Sequence, residues 1–197
     1  HSCCRFNHGA LDALDQIAAF GPLPRPQQIR AIVVASYSHA AELDSQTPHN
    51  TLAAKFSVPF AVATRIVNGS SALASFNWDA VRDPAVLALA GKVTVHEDPA
   101  MTRRLPQERP ARVTIDLTDG GSLVGEVGVN RGDDALPYSR DALRAKFMDL
   151  TARAWPTAHG EAVLQATLDM AGLDPDFARW IALLVRPQTT TASGCTD

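Results

Sequence analysis

Apolar positions along the chain switch between helical spacing and alternation, and the switches mark its elements. Leu11, Leu14, Ile17 and Ala18 recur at helical spacing behind Asn7, which predicts a helix over about residues 8–20 capped by Asn7. The run Gly21-Pro22-Leu23-Pro24-Arg25-Pro26 stops it. Residues 29–37, rich in Ile and Val, read as a buried strand, and the polar stretch 38–50 as a loop. Leu52, Phe56, Phe60, Ala63 and Val67 then predict a second helix from Thr51, capped by Asn50, kinked at Pro59 and ended before Gly69. Asp83-Pro84 opens a third, which stops at Gly91.

Alternation returns with Val93 and Val95, a short strand over 92–96. Val113, Ile115 and Leu117 point one way, Asp119-Gly120-Gly121 turns the chain, and residues 123–129 bring it back as a β-hairpin. Past a loop at 130–138, Ser139 caps a helix carrying Leu143, Phe147 and Leu150, which Pro156 breaks. Two more helices follow, over about 159–171, ended by Gly172, and 176–185, opened by Asp174-Pro175. The expected class is α+β: a small antiparallel sheet of about four strands with packed helices, followed by C-terminal helices that have no strand left to cover. The division reads as an α+β domain at 1–138, helices at 139–187 and a disordered polar tail at 188–197.

Composition narrows the function classes. With 46% hydrophobic and 20% charged residues, a fibrous, collagen-like or disordered chain is excluded. Eighteen basic against 21 acidic residues leave no basic surplus for nucleic acid or an anionic membrane, and neither partner is expected. The apolar stretches Ala31–Ala35 and Trp180–Val185 are far shorter than the roughly 20 residues a membrane helix needs. The opening His1-Ser2-Cys3-Cys4-Arg5 has no leader pattern and reads as the start of a fragment. Of three cysteines, two are adjacent and one sits in the tail, which suits a reducing cytoplasm.

Generic catalytic motifs are absent: no nucleophile elbow, phosphate loop, H-E-x-x-H or C-x-x-C occurs. Cys3, Cys4 and His8 make a poor zinc set, because adjacent cysteines rarely reach one ion and a fourth ligand is not evident; no metal is expected. Cys3 and Cys4 read instead as small buried packing residues, and His39, His49, His96 and His159 as surface or loop positions.

Three longer strings carry more. Ser2-Cys3-Cys4-Arg5-Phe6-Asn7-His8-Gly9-Ala10-Leu11-Asp12-Ala13 resembles the P-C-C-R-Y-T-H-x-x-I-D-A segment of the MmgE/PrpD family, the 2-methylcitrate dehydratase family. The stretch Pro48 to Ala63, with Ala54-Lys55-Phe56-Ser57-Val58-Pro59-Phe60, is similar to that family's A-K-F-S-L-P-Y-x-V-A hallmark. Gly132-Asp133, Pro137-Tyr138-Ser139 and Leu143-Arg144-Ala145-Lys146-Phe147 resemble its third, G-D-P…P-L-S…L-R-x-K-F. The sequence departs at Ser2 for Pro, Asn7 for Thr and Phe60 for Tyr.

The resemblance implies the lid domain of a two-domain protein, with final helices that return to an all-helical domain absent from this chain. It also implies cofactor-free and metal-free dehydration, decarboxylation or epimerisation of small di- or tricarboxylates by a homodimer. Three residues are candidates. His8, in a helix's first turn where the dipole favours neutral imidazole, either exchanges a proton with substrate or braces its helix. Lys55 either sets a cation on the dianionic enolate formed beside a carboxylate or lies solvated on a helix flank. Arg5 either takes a substrate carboxylate or closes a structural ion pair. A non-catalytic binding domain on the same scaffold is the competing class.

Overall fold

A computed structural model of the chain describes residues 1–170 and 176–185. The expected stop at Gly172, the start signal Asp174-Pro175 and the tail at 188–197 lie outside the described residues. The chain forms two compact units that meet between Pro137 and Tyr138 in sequence.

The first unit is α+β, built on four strands: β1 (Ile29–Ser36), β2 (Val93–Glu97), β3 (Ala111–Leu117) and β4 (Ser122–Val127), in the order β2-β1-β3-β4. The sheet is mixed, which corrects the antiparallel expectation. β1 runs antiparallel to β3 but parallel to β2, with Ile32 opposite Val93 and Ser36 opposite Glu97. A parallel return needs a long crossover, and residues 37–92 supply one through α2 (Ser38–Ala41), α3 (Thr51–Lys55), α4 (Val58–Val67), α5 (Trp78–Arg82) and α6 (Pro84–Ala90). The β3–β4 hairpin is as expected, with Gly120 turning at φ +92°.

Period-two burial puts Ile32, Val34, Val113 and Ile115 on one face, where they join Leu11, Leu14 and Ile17 of α1 (His8–Ala18) and Val58, Phe60 and Val62 of α4 in the core. Close approach of α1 to β4 requires glycine: a Cβ on Gly125 would stand 2.1 Å from the Ala13 carbonyl oxygen. Asn7 does not cap α1; the chain enters through a 3₁₀ turn at Arg5–Asn7 and the Asn7 amide is used elsewhere.

The single kinked helix expected around Pro59 is two helices. Asn50 Oδ1 caps α3 by accepting from the Ala53 N–H at 2.7 Å, while Ser57 Oγ caps α4 by accepting from the Phe60 N–H at 2.9 Å. Pro59 falls in the first turn of α4, where no N–H is needed, so proline starts a helix here instead of bending one. The break also undoes the expected stripe: Phe60 is 0% exposed, but Leu52 is 65% and Phe56 50% exposed. The short helix α2 lies where a loop was expected, and α5 and α7 (Pro99–Thr102), the latter capped by Asp98, fall where the sequence reading assigned no element; α6 starts at its Asp83 cap as expected.

In the second unit Ser139 caps α8 (Arg140–Thr151), followed by α9 (Thr157–Asp169) and α10 (Phe177–Val185). The buried residues of these helices are Gly160, Val163 and Ala166, all on α9, whereas Leu143, Leu150, Leu168, Phe177, Ile181 and Val185 are exposed. No helix among the described residues is long and apolar enough to cross a membrane.

Two outcomes follow. Gly125→Ala must push α1 off the sheet and should cost about 1–3 kcal/mol in urea unfolding, with wild-type stability as the contrary result. The chain on its own should bind a hydrophobic dye or self-associate through its second-unit side chains; a monomer in the ultracentrifuge without dye binding would contradict this.

Candidate functional site

The segment before α1 is fastened to the end of α3 through one carbonyl. Lys55 O accepts from the Cys4 N–H at 2.9 Å and from Asn7 Nδ2 at 3.0 Å, and the same Asn7 nitrogen donates to Ser57 O at 3.3 Å. Asn7 is fully buried, so these bonds form away from competing water. They bring the main chain of Lys55 against the turn that carries Arg5 and His8.

Arg5 and His8 touch directly. Arg5 Nη1 donates to His8 Nδ1 at 2.8 Å, and because guanidinium is always protonated, Nδ1 must be the bare nitrogen. The ring proton then sits on Nε2, which donates to the Cys3 carbonyl at 3.4 Å. Burial, then the positive charges of the amino terminus and Arg5, lower the His8 pKa to about 4. His8 is therefore neutral near pH 7 with both nitrogens engaged. The other end of Arg5, Nη2, forms an ion pair with Asp133.

The Lys55 ammonium is different: half-buried, it has no hydrogen bond or ion pair among the described residues. The structure thus joins Arg5 to His8 and places Lys55 next to them by its backbone, without a side-chain bond between them. Cys3 and Cys4 are half-buried, not fully buried as expected, and Cys3 packs against the core. His39, His49 and His96 are exposed as expected, whereas His159 is partly buried on α9 with Nε2 at 3.0 Å from Leu183 O. Phe60 packs against Phe76 at 6.1 Å between ring centroids.

Beside this cluster lies an ion network that the sequence reading missed. Asp12 Oδ1 accepts from His1 Nε2 at 3.1 Å and Arg131 Nε at 2.8 Å, and its Oδ2 from the Arg131 N–H at 3.0 Å. Asp15 accepts from Arg65 Nε at 3.0 Å and also pairs with Arg131. His1, Asp12 and Asp15 are a group of three metal-type donors among the described residues, but two guanidinium groups already lie on the carboxylate oxygens an ion would need. The network's evident work is to hold the 130–133 loop, and with it Asp133, against α1. Asp12 interrupts the apolar face of α1, the one local sign of a buried charge; Asp133 stood in a motif without a partner.

A profile of the MmgE/PrpD C-terminal domain matches residues 1–170. The chain belongs to the MmgE/PrpD family. It is 30% identical over 144 residues to the 2-methylcitrate dehydratase of Salmonella typhimurium, an alignment covering 67% of this chain and 29% of that protein. It is 31% identical over 128 residues to the 2-methylcitrate dehydratase of Cupriavidus necator, covering 59% of this chain and 25% of that one. The chain thus spans less than a third of these MmgE/PrpD relatives.

The state of His8 is testable. Its folded pKa lies below the unfolded value near 6.5, so the unfolded chain binds the extra proton first and stability falls with pH from about 6.5 towards 4. The His8 contribution to the slope should reach up to about 1.4 kcal/mol per pH unit, and His8→Gln should flatten the dependence by that amount. Proton NMR should show the His8 ring untitrated between pH 6 and 8; a midpoint near 6.5 would contradict the arrangement.

Proposed function

We propose that the chain is the cation-bearing part of a lyase or isomerase acting on a small di- or tricarboxylate, dehydrating it by removal of a proton alpha to a carboxylate. One observation supports the reading within this family: Lys55 keeps an ammonium without a counterion among the described residues, on a main chain anchored to the Arg5–His8 turn. Abstraction of the alpha proton puts a second negative charge on the carboxylate, and an ammonium aimed at that oxygen lowers the barrier. Departure of hydroxide with a proton then leaves the alkene and water. Return of the proton to either face would give epimerisation from the same enolate; a decarboxylation would instead start from an unsaturated acid, the electron pair left by carbon dioxide shifting into the allylic system and being taken up by a proton.

Arg5 is a second cation facing substrate, released from Asp133 when a carboxylate takes its place, and His8 orients it. In this arrangement His8 is not the base, since accepting a proton at Nδ1 would require it to give up Arg5. The reading includes a cytoplasmic homodimer that needs neither metal nor cofactor. Engagement of both His8 nitrogens favours a second reading, a carboxylate-binding domain without catalysis.

Proton NMR of the full chain with citrate-like acids in heavy water separates the two. An enzyme should exchange the alpha proton or form alkene; binding without exchange supports the second reading. Lys55→Met should lower kcat roughly 10²–10³-fold, with stability changed by only about 0–1 kcal/mol. Lys55→Arg should recover little, because a planar fork does not replace a compact ammonium. An unchanged kcat/KM in Lys55→Met would remove Lys55 from the site.

A further inference from the structure

Tyr37 follows β1 and is 1% exposed, yet its hydroxyl has no hydrogen-bond partner. A buried hydroxyl left unpaired is costly and calls for a physical reason. Its ring meets Phe6 edge-on at 5.9 Å, which places it beneath the turn that carries Arg5. Antiparallel pairing sets Ser36 opposite Ala111, and Ser36 Oγ donates to Pro110 O at 2.7 Å, so Tyr37 and Arg109 leave the β1–β3 ladder at the same end; Arg109, Arg5 and Asp133 are the charged groups whose fields bear on the phenol. Arg5 and Asp133 neutralise each other. Arg109 is half-buried, and its guanidinium has no hydrogen bond or ion pair among the described residues. Its main chain is fixed, the N–H donating to Gly128 O at 3.2 Å and the carbonyl accepting from Asn130 Nδ2 at 3.2 Å.

An unpaired donor and an unpaired cation in one place want the same thing. Burial pushes the Tyr37 pKa up to about 12, so at neutral pH the phenol keeps its proton and donates it. Arg109 only donates. A water molecule would satisfy the hydroxyl but leave the guanidinium charge uncompensated. With Arg5 and Asp133 cancelling, the surplus is a single positive charge, which suits one carboxylate better than a doubly charged phosphate.

We propose that Tyr37 and Arg109 form a carboxylate subsite, closed in this structure, that receives a second carboxylate of a di- or tricarboxylate ligand. The inference rests on the carboxylate reading of the Lys55 site and extends it. Lys55 and Tyr37 both meet the turn at residues 4–6, the first through its backbone bond to Cys4 and the second through its ring contact with Phe6. One ligand held from both sides would be fixed in orientation as well as bound.

The test is calorimetric titration of the full chain with tricarballylate, an unreactive tricarboxylate, together with thermal melts. Tyr37→Phe and Arg109→Gln should each weaken binding about tenfold or more, and Arg109→Lys should weaken it less than Arg109→Gln. Without ligand, Tyr37→Phe should melt no lower than wild type, because it loses only an unpaired hydroxyl. Wild-type affinity in both Tyr37→Phe and Arg109→Gln would overturn the subsite, as would a lowered melting temperature of ligand-free Tyr37→Phe, which would mark an internal partner. Weakening confined to Lys55→Met would overturn the subsite and leave the Lys55 reading standing. Weakening confined to Tyr37→Phe and Arg109→Gln would uphold the subsite and remove Lys55. Failure of wild type to bind tricarballylate would overturn both.

Discussion

The carbonyl oxygen of Lys55 accepts two hydrogen bonds from the turn ahead of α1, and the candidate site depends on that junction. It forms because α3 stops at Lys55 and α4 starts afresh at Val58, which leaves the Lys55 carbonyl outside either helical ladder, while Ser57 O accepts from Asn7 in addition to the Ala61 N–H that opens α4. A continuous helix through Pro59 would have turned those carbonyls along its own axis. Asn7 would then have had no acceptors and the Arg5 turn nothing to dock on. Proline and serine thus do more than begin a helix: they free the acceptors that bring two separate stretches of sequence together.

Charge is distributed around this junction by what each cation already holds. Arg131 and Arg65 are taken up by Asp12 and Asp15, and Arg5 by Asp133 and His8. Asp12 is buried, so its pairing is obligatory: an unpaired carboxylate there would cost far more than the pair gains. Lys55 and Arg109 stand apart because no carboxylate of the described residues meets them. A half-exposed cation without a counterion is ordinarily just solvated; what these two add is a fixed backbone. Both are fixed, by hydrogen bonds to Cys4 and Asn7 in one case and to Gly128 and Asn130 in the other.

Local structure was legible wherever a short-range rule decided it. Asn50, Asp83 and Ser139 cap as their spacing suggests, and the Asp119-Gly120-Gly121 hairpin closes as its turn residues require. The misreadings come from long-range competition. Asn7 has the chemistry of a cap, but two carbonyls about fifty residues away claim its amide. Pro59 is ambiguous in sequence, since a kink and a first turn share the same missing N–H, and the buried Ser57 hydroxyl resolves it. The parallel β1–β2 pair could not be read from either strand, because direction is set by the crossover between them. Of the site, the Arg5–His8 contact follows from a three-residue spacing at the start of a helix; Asp133 and Tyr37 reach Arg5 only through the fold.

His8 shows how far a matching motif carries a role. Its position agrees with the family histidine, and a neutral imidazole was expected there; neutral it is, but with Nδ1 already accepting from Arg5 and Nε2 donating to Cys3. With both nitrogens used, the imidazole braces this turn, and under the proposed reading it acts on chemistry through Arg5. Its bond aims the Arg5 guanidinium, and burial together with that positive charge keeps the ring unprotonated. Seen this way the turn is a device for presenting positive charge. Anchoring at Lys55 O sets its place, His8 sets the direction of its arginine, and Asp133 pairs with that arginine, the partner that a substrate carboxylate would displace under the proposed reading.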